Sequence, residues 1–238
     1  MNKALFNCYQ KIYSILGDES ELFESVELIE QYRQYWRPEK VNVILLAESH
    51  VFTSDTDRSF KLVDVKDDVT TLKDYPKSYA KFVYCLAYGE ETLTKSRDHP
   101  AKADGTPQFW KILYSCINKV ESNKSFSPIL KTGTKPASER INNKIKLLIE
   151  LKRQGVWLID ASIIALYNKG SKPSNKVFNE VIKTSWDNYT KKLINDANPN
   201  HVIVIGKGVA KNIEPSLYSL VGANNYTVIP QPQAHLSS

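Results

Sequence analysis

The sequence contains few cysteines and no cysteine pair with metal-binding spacing. Its three cysteines, Cys8, Cys85 and Cys116, are odd in number and far apart, so a disulfide scaffold, a zinc ribbon and a cysteine-ligated iron–sulfur cluster all lack ligands. Free thiols are typical of a reducing compartment, and we expect these three to pack in the core. We therefore predict an intracellular, cytoplasmic protein with no metal ion and no iron–sulfur cluster.

Long apolar runs and low-complexity segments are also missing. No stretch approaches the roughly 20 apolar residues that cross a bilayer, and residues 1–20 follow the pattern of an amphipathic helix, which differs from that of a secretory signal peptide. With 9 glycines and 11 prolines among 238 residues, the composition is neither collagen-like nor disordered. We predict a protein without a membrane partner, large enough to bury a sizeable core.

The charge of the chain is modestly basic and unevenly distributed. Thirty-two Lys and Arg against 26 Asp and Glu give a net charge of +6, which permits a polyanionic partner such as DNA. Residues 17–30 include six acids and no base, whereas residues 131–153 include seven bases and two acids. The second segment is interpreted either as a solvated helix surface or as a flank that faces phosphate.

Four short apolar runs rich in β-branched residues predict strands, at 41–46, 156–159, 201–205 and 226–229. Their nearly continuous apolar character is typical of strands buried on both faces of a parallel sheet. Apolar residues at helical spacing predict helices at 4–16, 21–36, 76–88, 108–119, 138–153 and 175–195. This alternation predicts an α/β protein with a central parallel sheet, forming one domain over 1–238 with a helical N-terminal extension at 1–36.

Polar residues follow each of the four predicted strands. They are Glu48, Ser49 and His50 after the first, Asp160 after the second, Gly206, Lys207 and Gly208 after the third, and His235 and Ser237 after the fourth. Ligands of open parallel sheets bind just beyond the carboxyl ends of the strands, so these residues are predicted to share one site. A structural interpretation stays open for each of them: acids and hydroxyls also cap helices, and glycines also make tight turns.

The order of these segments resembles that of the uracil-DNA glycosylase superfamily, over about residues 41–237. The run LAESHV at 46–51 lies where the family has its first motif, and Glu48 matches the acid of the GEAPG form. The run TPQFWKIL at 106–113 resembles the NRFWKVL segment of the mismatch-specific uracil/thymine branch, and GVWLIDA at 155–161 resembles GVLLLNA. Residues 202–210 resemble the third strand and its phosphate loop, and HLS at 235–237 aligns with the final HPS motif.

The resemblance implies a three-layer α/β/α fold with a four-stranded parallel sheet. It implies a DNA glycosylase of base-excision repair, which flips a damaged or mismatched, uracil-like base out of DNA and hydrolyses its N-glycosidic bond without a cofactor, as a monomer. The implied roles are water positioning and catalysis by Glu48, Ser49 and His235, base binding by Phe109, Asp160 and His50, and phosphate binding by Gly206, Lys207, Gly208 and Ser237.

The position that reads the base departs from the family, because Asp160 stands where the family has Asn. An ionised Asp only accepts hydrogen bonds, so it repels O4 of uracil and suits a base that presents an amino donor. Two other functions stay open. One is a non-catalytic relative that binds nucleic acid or a nucleotide; the other is an esterase-like hydrolase with a triad of Ser49, His235 and Asp160, for which the G-x-S-x-G elbow is missing.

Overall fold

A sheet of four parallel strands forms the centre of the protein in a computed structural model that describes residues 2–65, 72–95, 108–167 and 173–231. The strands are β1 (Val43–Ala47), β2 (Val156–Asp160), β3 (His201–Ile205) and β4 (Tyr226–Ile229). Their spatial order is β2-β1-β3-β4. Helices flank the sheet, so the predicted three-layer α/β/α fold is confirmed, and the predicted strand runs coincide with the observed strands to within two residues.

The helices of the described ranges pack around this sheet. They are α1 (Lys3–Leu16), α2 (Phe23–Tyr35), α3 (Asp55–Ser59), α4 (Phe109–Ser115), α5 (Ala137–Gln154), α6 (Asn175–Ser185), α7 (Lys191–Ala197) and α8 (Lys207–Val221). A π-helical turn, Trp186–Thr190, joins α6 to α7, and short 3-10 helices lie at Gly17–Glu19, Glu91–Leu93, Asn123–Ile129 and Ala223–Asn225. Helix α5 packs against β2, α8 against β3 and β4, and α1 against α6. None of the helices described here combines the length and the apolar character needed to cross a bilayer.

The helix predicted at 76–88 is wrong, because this segment forms turns. Almost every side chain from 79 to 87 is buried, whereas a helix of this kind buries one stripe and exposes the other. The hydroxyl of Tyr75 accepts a hydrogen bond from the Leu86 backbone N–H and donates one to the Tyr84 carbonyl, both at 2.8 Å. A side chain outside the segment thus satisfies backbone groups that a helix would satisfy internally.

The turn at Gly155 sets the register between β1 and β2, the strands that lead to Glu48 and Asp160. Gly155 ends α5 with φ 79°, and a Cβ at this position would lie 2.6 Å from the Lys40 carbonyl oxygen, so glycine is required here. Its own carbonyl accepts from the backbone N–H of Asn42 and of Val43. The strands then run in parallel until Ala47 pairs with Asp160, which places their following residues at the same edge.

The connections of β1 and β3 diverge although the two strands are neighbours. In the strand order β2-β1-β3-β4, the chain passes from β1 to β2 towards one edge of the sheet and from β3 to β4 towards the opposite edge. Such a divergence opens a crevice at the carboxyl edge of a parallel sheet, where ligands bind. The fold therefore places a candidate site beside the residues that follow β1 and β3.

The two N-terminal helices share the core of the sheet. Leu5 and Ile12 of α1 and Ile29 and Tyr32 of α2 are fully buried in the same apolar cluster as the strand residues. The predicted core role of the cysteines is confirmed for Cys8 and Cys85, which are buried. It is wrong for Cys116, which is exposed because it lies just beyond the end of α4.

Candidate functional site

A pocket of about 250 Å³ opens at the carboxyl edge of the sheet. Its lining comes from Ala47–Val51, Lys81–Val83, Tyr88, Gln108, Phe109, Leu158, Asp160, Tyr167 and Gln231. Pockets for drug-sized ligands hold roughly 300–1,000 Å³, so this one suits a smaller molecule or a single flat ring system.

The pocket brings together Glu48, Ser49, His50, Phe109 and Asp160, five of the residues predicted to form the site. The others have different placements. Gly206 lies beside the pocket, because a Cβ added to it would be 3.1 Å from Cγ of the lining residue Gln231; Lys207 and Gly208 are exposed in the first turn of α8. His235 and Ser237 lie outside the described residues.

Glu48 is partly buried at the end of β1, and two donors hold its carboxylate. The side-chain amide of Gln231 donates to Oε2 of Glu48 at 2.7 Å, and the hydroxyl of Tyr167 also bonds to this carboxylate. Burial, together with the hydrogen bond and charge of Glu48, raises the pKa of Tyr167 above its ordinary value, so the phenol remains a donor. A carboxylate fixed in this way can accept a proton from a water molecule in the pocket.

Ser49 and Phe109 complete the polar and aromatic sides of the pocket. The hydroxyl of Ser49 accepts from the Leu166 backbone N–H at 3.3 Å, which leaves its own proton available. Phe109 begins α4 and is partly buried in the pocket wall. The next residue, Trp110, is fully buried in the core, whereas Phe109 offers a ring to a ligand.

Beneath the pocket, five charged side chains alternate in sign: Glu30, Arg33, Asp160, His50 and Glu21, here called the buried charge chain. Arg33 pairs with Glu30 and donates through Nη2 to Oδ2 of Asp160 at 2.9 Å. His50 lies between two carboxylates, with Nε2 2.6 Å from Oε1 of Glu21 and Nδ1 3.5 Å from Oδ2 of Asp160. No member is more than 5% exposed.

The two ends of the buried charge chain are anchored by further donors. Oε1 of Glu21 accepts from the Ala165 backbone N–H at 2.8 Å. Oε1 of Glu30 accepts from the Tyr189 hydroxyl at 2.8 Å and from the Gln34 amide at 2.6 Å. Since a buried charge is costly without partners, this network fixes the floor of the pocket to α2, the π-helical turn and the segment after β2.

Both cations of the buried charge chain are held in their charged forms. Burial alone would lower the pKa of His50, but the charge of Glu21 and the contacts with Glu21 and Asp160 outweigh it and raise that pKa to about 9. Burial likewise disfavours the Arg33 guanidinium, yet Glu30 and Asp160 raise its pKa above the ordinary value. With three carboxylates and two cations, the buried charge chain has a formal charge of −1.

We expect the free energy of unfolding to fall as the pH rises from 6.5 towards 9. The ordinary pKa of histidine is 6.5, and that of His50 is about 9 in the fold. The stabilisation is therefore complete below pH 6.5 and is lost as the pH rises through the folded value. At about 1.4 kcal/mol per pKa unit, the loss amounts to roughly 3 kcal/mol. Urea unfolding between pH 6 and 10 measures it. His50→Gln should lack this loss, and a wild-type curve that matches the variant would show that His50 is not charged in the fold.

Two of the seven bases in segment 131–153 are directed away from any phosphate-facing flank. Arg140 and Lys144 are buried and both bind Glu90, at 2.6 Å. Glu90 is itself buried at the end of the turns, and these two cations are its ion-pair partners in the described ranges. Because they are buried, both interpretations, the solvated helix surface and the phosphate-facing flank, are wrong for Arg140 and Lys144.

Sequence reasoning missed the buried partners of Asp160 and His50, although α2 contains a signal for one of them. Val26, Ile29 and Arg33 follow each other at spacings of three and four residues, so Arg33 occupies a position where helical periodicity calls for an apolar side chain. A charged residue at such a position indicates a buried counter-charge. Gln231 and Tyr167 carry no comparable signal.

The contacts of Asp160 and Ser49 differ from those of a Ser-His-Asp triad, the arrangement that an esterase-like hydrolase would need. Its Oδ2 faces Arg33 and His50, and Ser49 accepts a backbone hydrogen bond. In the described part of the chain, no group of three or more His, Cys, Asp or Glu side chains could hold a metal ion.

Comparison with known proteins finds no matching family model, no matching curated protein and no matching solved structure.

Proposed function

We propose that the protein is a DNA glycosylase of the uracil-DNA glycosylase type, which holds a flipped base in this pocket and hydrolyses its N-glycosidic bond. The observation that supports it is the meeting of Glu48, Ser49, Phe109 and Asp160, from three separate segments, in one pocket of about 250 Å³. An enzyme that acts on a flipped base needs an aromatic face, a polar group at the base edge and a group that activates water.

In the proposed reaction, each side chain has one task. The ring of Phe109 stacks on the base, and Asp160 contacts its polar edge. Glu48 takes a proton from the water whose oxygen bonds to C1′ of the sugar as the C1′–N bond breaks, and Ser49 helps to orient that water. Proton transfer to a positioned carboxylate contributes about 10²–10⁴-fold to a rate.

The start of α8 is the proposed phosphate contact of this site. Gly206 has φ 117° and leads into a 15-residue helix whose first residue, Lys207, is exposed; helix N-termini favour anions. Gln231 links this turn to the pocket, since it lies against Gly206 and donates to Glu48. A phosphate bound here would be adjacent to the base pocket. In this proposal the partner is DNA, the protein acts inside the cell as a monomer in base-excision repair, and no cofactor takes part.

The proposal is tested by incubating the protein with duplex and single-stranded oligonucleotides that carry uracil, hypoxanthine, xanthine, mismatched thymine or mismatched cytosine. We expect free base and an abasic site from at least one of them. Binding without release would select the non-catalytic relative instead, and neither binding nor release would overturn both.

We expect Phe109→Ala to weaken binding of the substrate oligonucleotide by roughly 10- to 100-fold, because one base–aromatic stack is worth about 1–3 kcal/mol. Fluorescence anisotropy with a labelled oligonucleotide measures the change. Phe6→Ala is the matched control, because Phe6 is also partly buried but packs edge-on against Phe23 in the N-terminal region. Equal affinities of the two variants would show that Phe109 does not stack on the base.

A further inference from the structure

The buried charge chain, with three carboxylates against two cations, reaches the wall of the pocket at Asp160 and His50. Asp160 is its central member, and both cations approach the same oxygen, Oδ2. Within the described residues no donor reaches Oδ1 of Asp160. Glu30 and Oε1 of Glu21 have additional hydrogen-bond donors, whereas Oε2 of Glu21 is buried without a partner. Of the three carboxylates only Asp160 lines the pocket, so its Oδ1 is the acceptor that a ligand can reach.

Glu48 adds a second carboxylate to the same pocket. Its two partners, Gln231 and Tyr167, are uncharged donors. Two cations also line the pocket, and both are already paired: His50 contacts Glu21 and Asp160, and Lys81 contacts Asp57 at 2.6 Å. The pocket therefore presents negative charge and hydrogen-bond acceptors to its ligand, and it favours a ligand group that donates hydrogen bonds and carries positive charge.

We infer that the pocket takes a base with a protonated amidine edge, that is, an amino group next to a protonated ring nitrogen, and that Arg33 is the positioning residue for this specificity. This inference rests on the proposed function and names its substrate class. Such an edge offers two adjacent N–H donors and one positive charge to Asp160. Uracil offers one N–H beside a carbonyl oxygen, which the carboxylate repels.

Arg33 acts on this choice through Asp160 and does not line the pocket. Its guanidinium donates to Oδ2 of Asp160 at 2.9 Å. Because a guanidinium only donates hydrogen bonds, it pairs with Asp160 as an acceptor, and the proton of the contact with the ligand lies on the base. A neutral Asp160 would offer a donor to O4 of uracil, and the discrimination would be lost.

The same protonation changes the leaving group. The C1′–N bond breaks and its electron pair goes to the ring nitrogen, while the water oxygen bonds to C1′ and the water proton goes to Glu48. Because the base entered with one extra proton, it leaves as a neutral molecule. The reaction then develops no anion in a pocket that already holds two carboxylates.

The test uses wild-type protein and two duplexes that contain one cytosine or one uracil opposite an abasic analogue, where extrusion is cheapest. A fluorine at C2′ of the target nucleotide slows cleavage, so that dissociation constants can be measured. We expect the cytosine duplex to bind about 10- to 100-fold more tightly, the range for one well-matched base contact. Its advantage should grow from pH 8 to pH 6, since the base takes up a proton on binding; Arg33, His50 and Tyr84, which face Asp160, keep their protonation states over this range.

Asp160→Asn is the companion variant, because an amide offers both a donor and an acceptor. The variant should lose the preference for cytosine, and its melting temperature shows whether it is folded. If it is not, the wild-type comparison decides alone. Equal affinity for both duplexes, or tighter binding of uracil, would overturn this inference, while release of either base from unfluorinated duplexes would leave the proposed function standing. If neither duplex binds more tightly than a fully paired one, this inference is wrong, and the proposed function then depends on the release of hypoxanthine, xanthine or thymine.

Discussion

The Glu48→Gln protein is expected to release base about 10²–10⁴-fold more slowly than the wild type, the contribution of a positioned general base. The amide has nearly the same size, and its oxygen can still accept from Gln231, as the carboxylate does at 2.7 Å. It cannot take a proton from water. Since the proton moves only during the reaction, binding of the substrate oligonucleotide should change little, and the loss should fall on the single-turnover rate.

The control for this variant is Glu39→Gln, which makes the same chemical change at an exposed carboxylate between α2 and β1. Its rate should equal that of the wild type. An unchanged rate in Glu48→Gln would show that Glu48 does not activate water. A loss of binding that accounts for the whole effect would instead give Glu48 a role in holding the substrate.

The Arg33→Leu protein is expected to lose about 3–5 kcal/mol of folding stability, the range for removing one partner of a buried ion pair. The substitution leaves Glu30 and Asp160 buried without the cation that contacts both of them. It also removes a guanidinium that lies 5.7 Å from the centre of the Phe82 ring, in the pocket wall. Urea unfolding at pH 7 measures the loss.

Arg37→Leu is the matched control for this variant. Arg37 lies four residues further along and stacks on the Trp157 ring at 4.9 Å, but it is only partly buried. A contact of this kind contributes about 0.5–1 kcal/mol at an exposed site. If the two variants are equally stable, the buried charge chain does not stabilise the fold. A folded Arg33→Leu protein that binds uracil and cytosine duplexes equally would support its role as a positioning residue.

The sheet could be predicted because its strands depend on a local property. The runs at His201–Ile205 and Tyr226–Ile229 are continuous and β-branched, and both form strands over those residues. Strands buried on both faces need no alternation, so a short apolar run is a sufficient signal. The segment 76–88 shows the limit of that reasoning, because its backbone groups bond to the Tyr75 hydroxyl, and no periodicity encodes such a contact.

The candidate site could be predicted in part for a topological reason. Parallel strands end at one edge, so Glu48 and Asp160 were expected together, and both line the pocket. Arg33 contacts Asp160 across 127 positions of the chain, and Glu21 contacts His50 from the segment before α2. These contacts depend on how the N-terminal helices dock onto the sheet, which strand ends alone do not specify. The helices of 1–36 are therefore part of the site and contribute its buried charges.

The most direct test of the proposed function is to detect the released base itself. Wild-type and Glu48→Gln proteins are incubated with duplexes that contain uracil, hypoxanthine, xanthine, mismatched thymine or mismatched cytosine, and free bases are identified by mass spectrometry. The proposed function predicts a free base and a matching abasic site with the wild type, and a much slower release with Glu48→Gln. Absence of free base from every duplex, with protein that is folded and in excess over DNA, would contradict it.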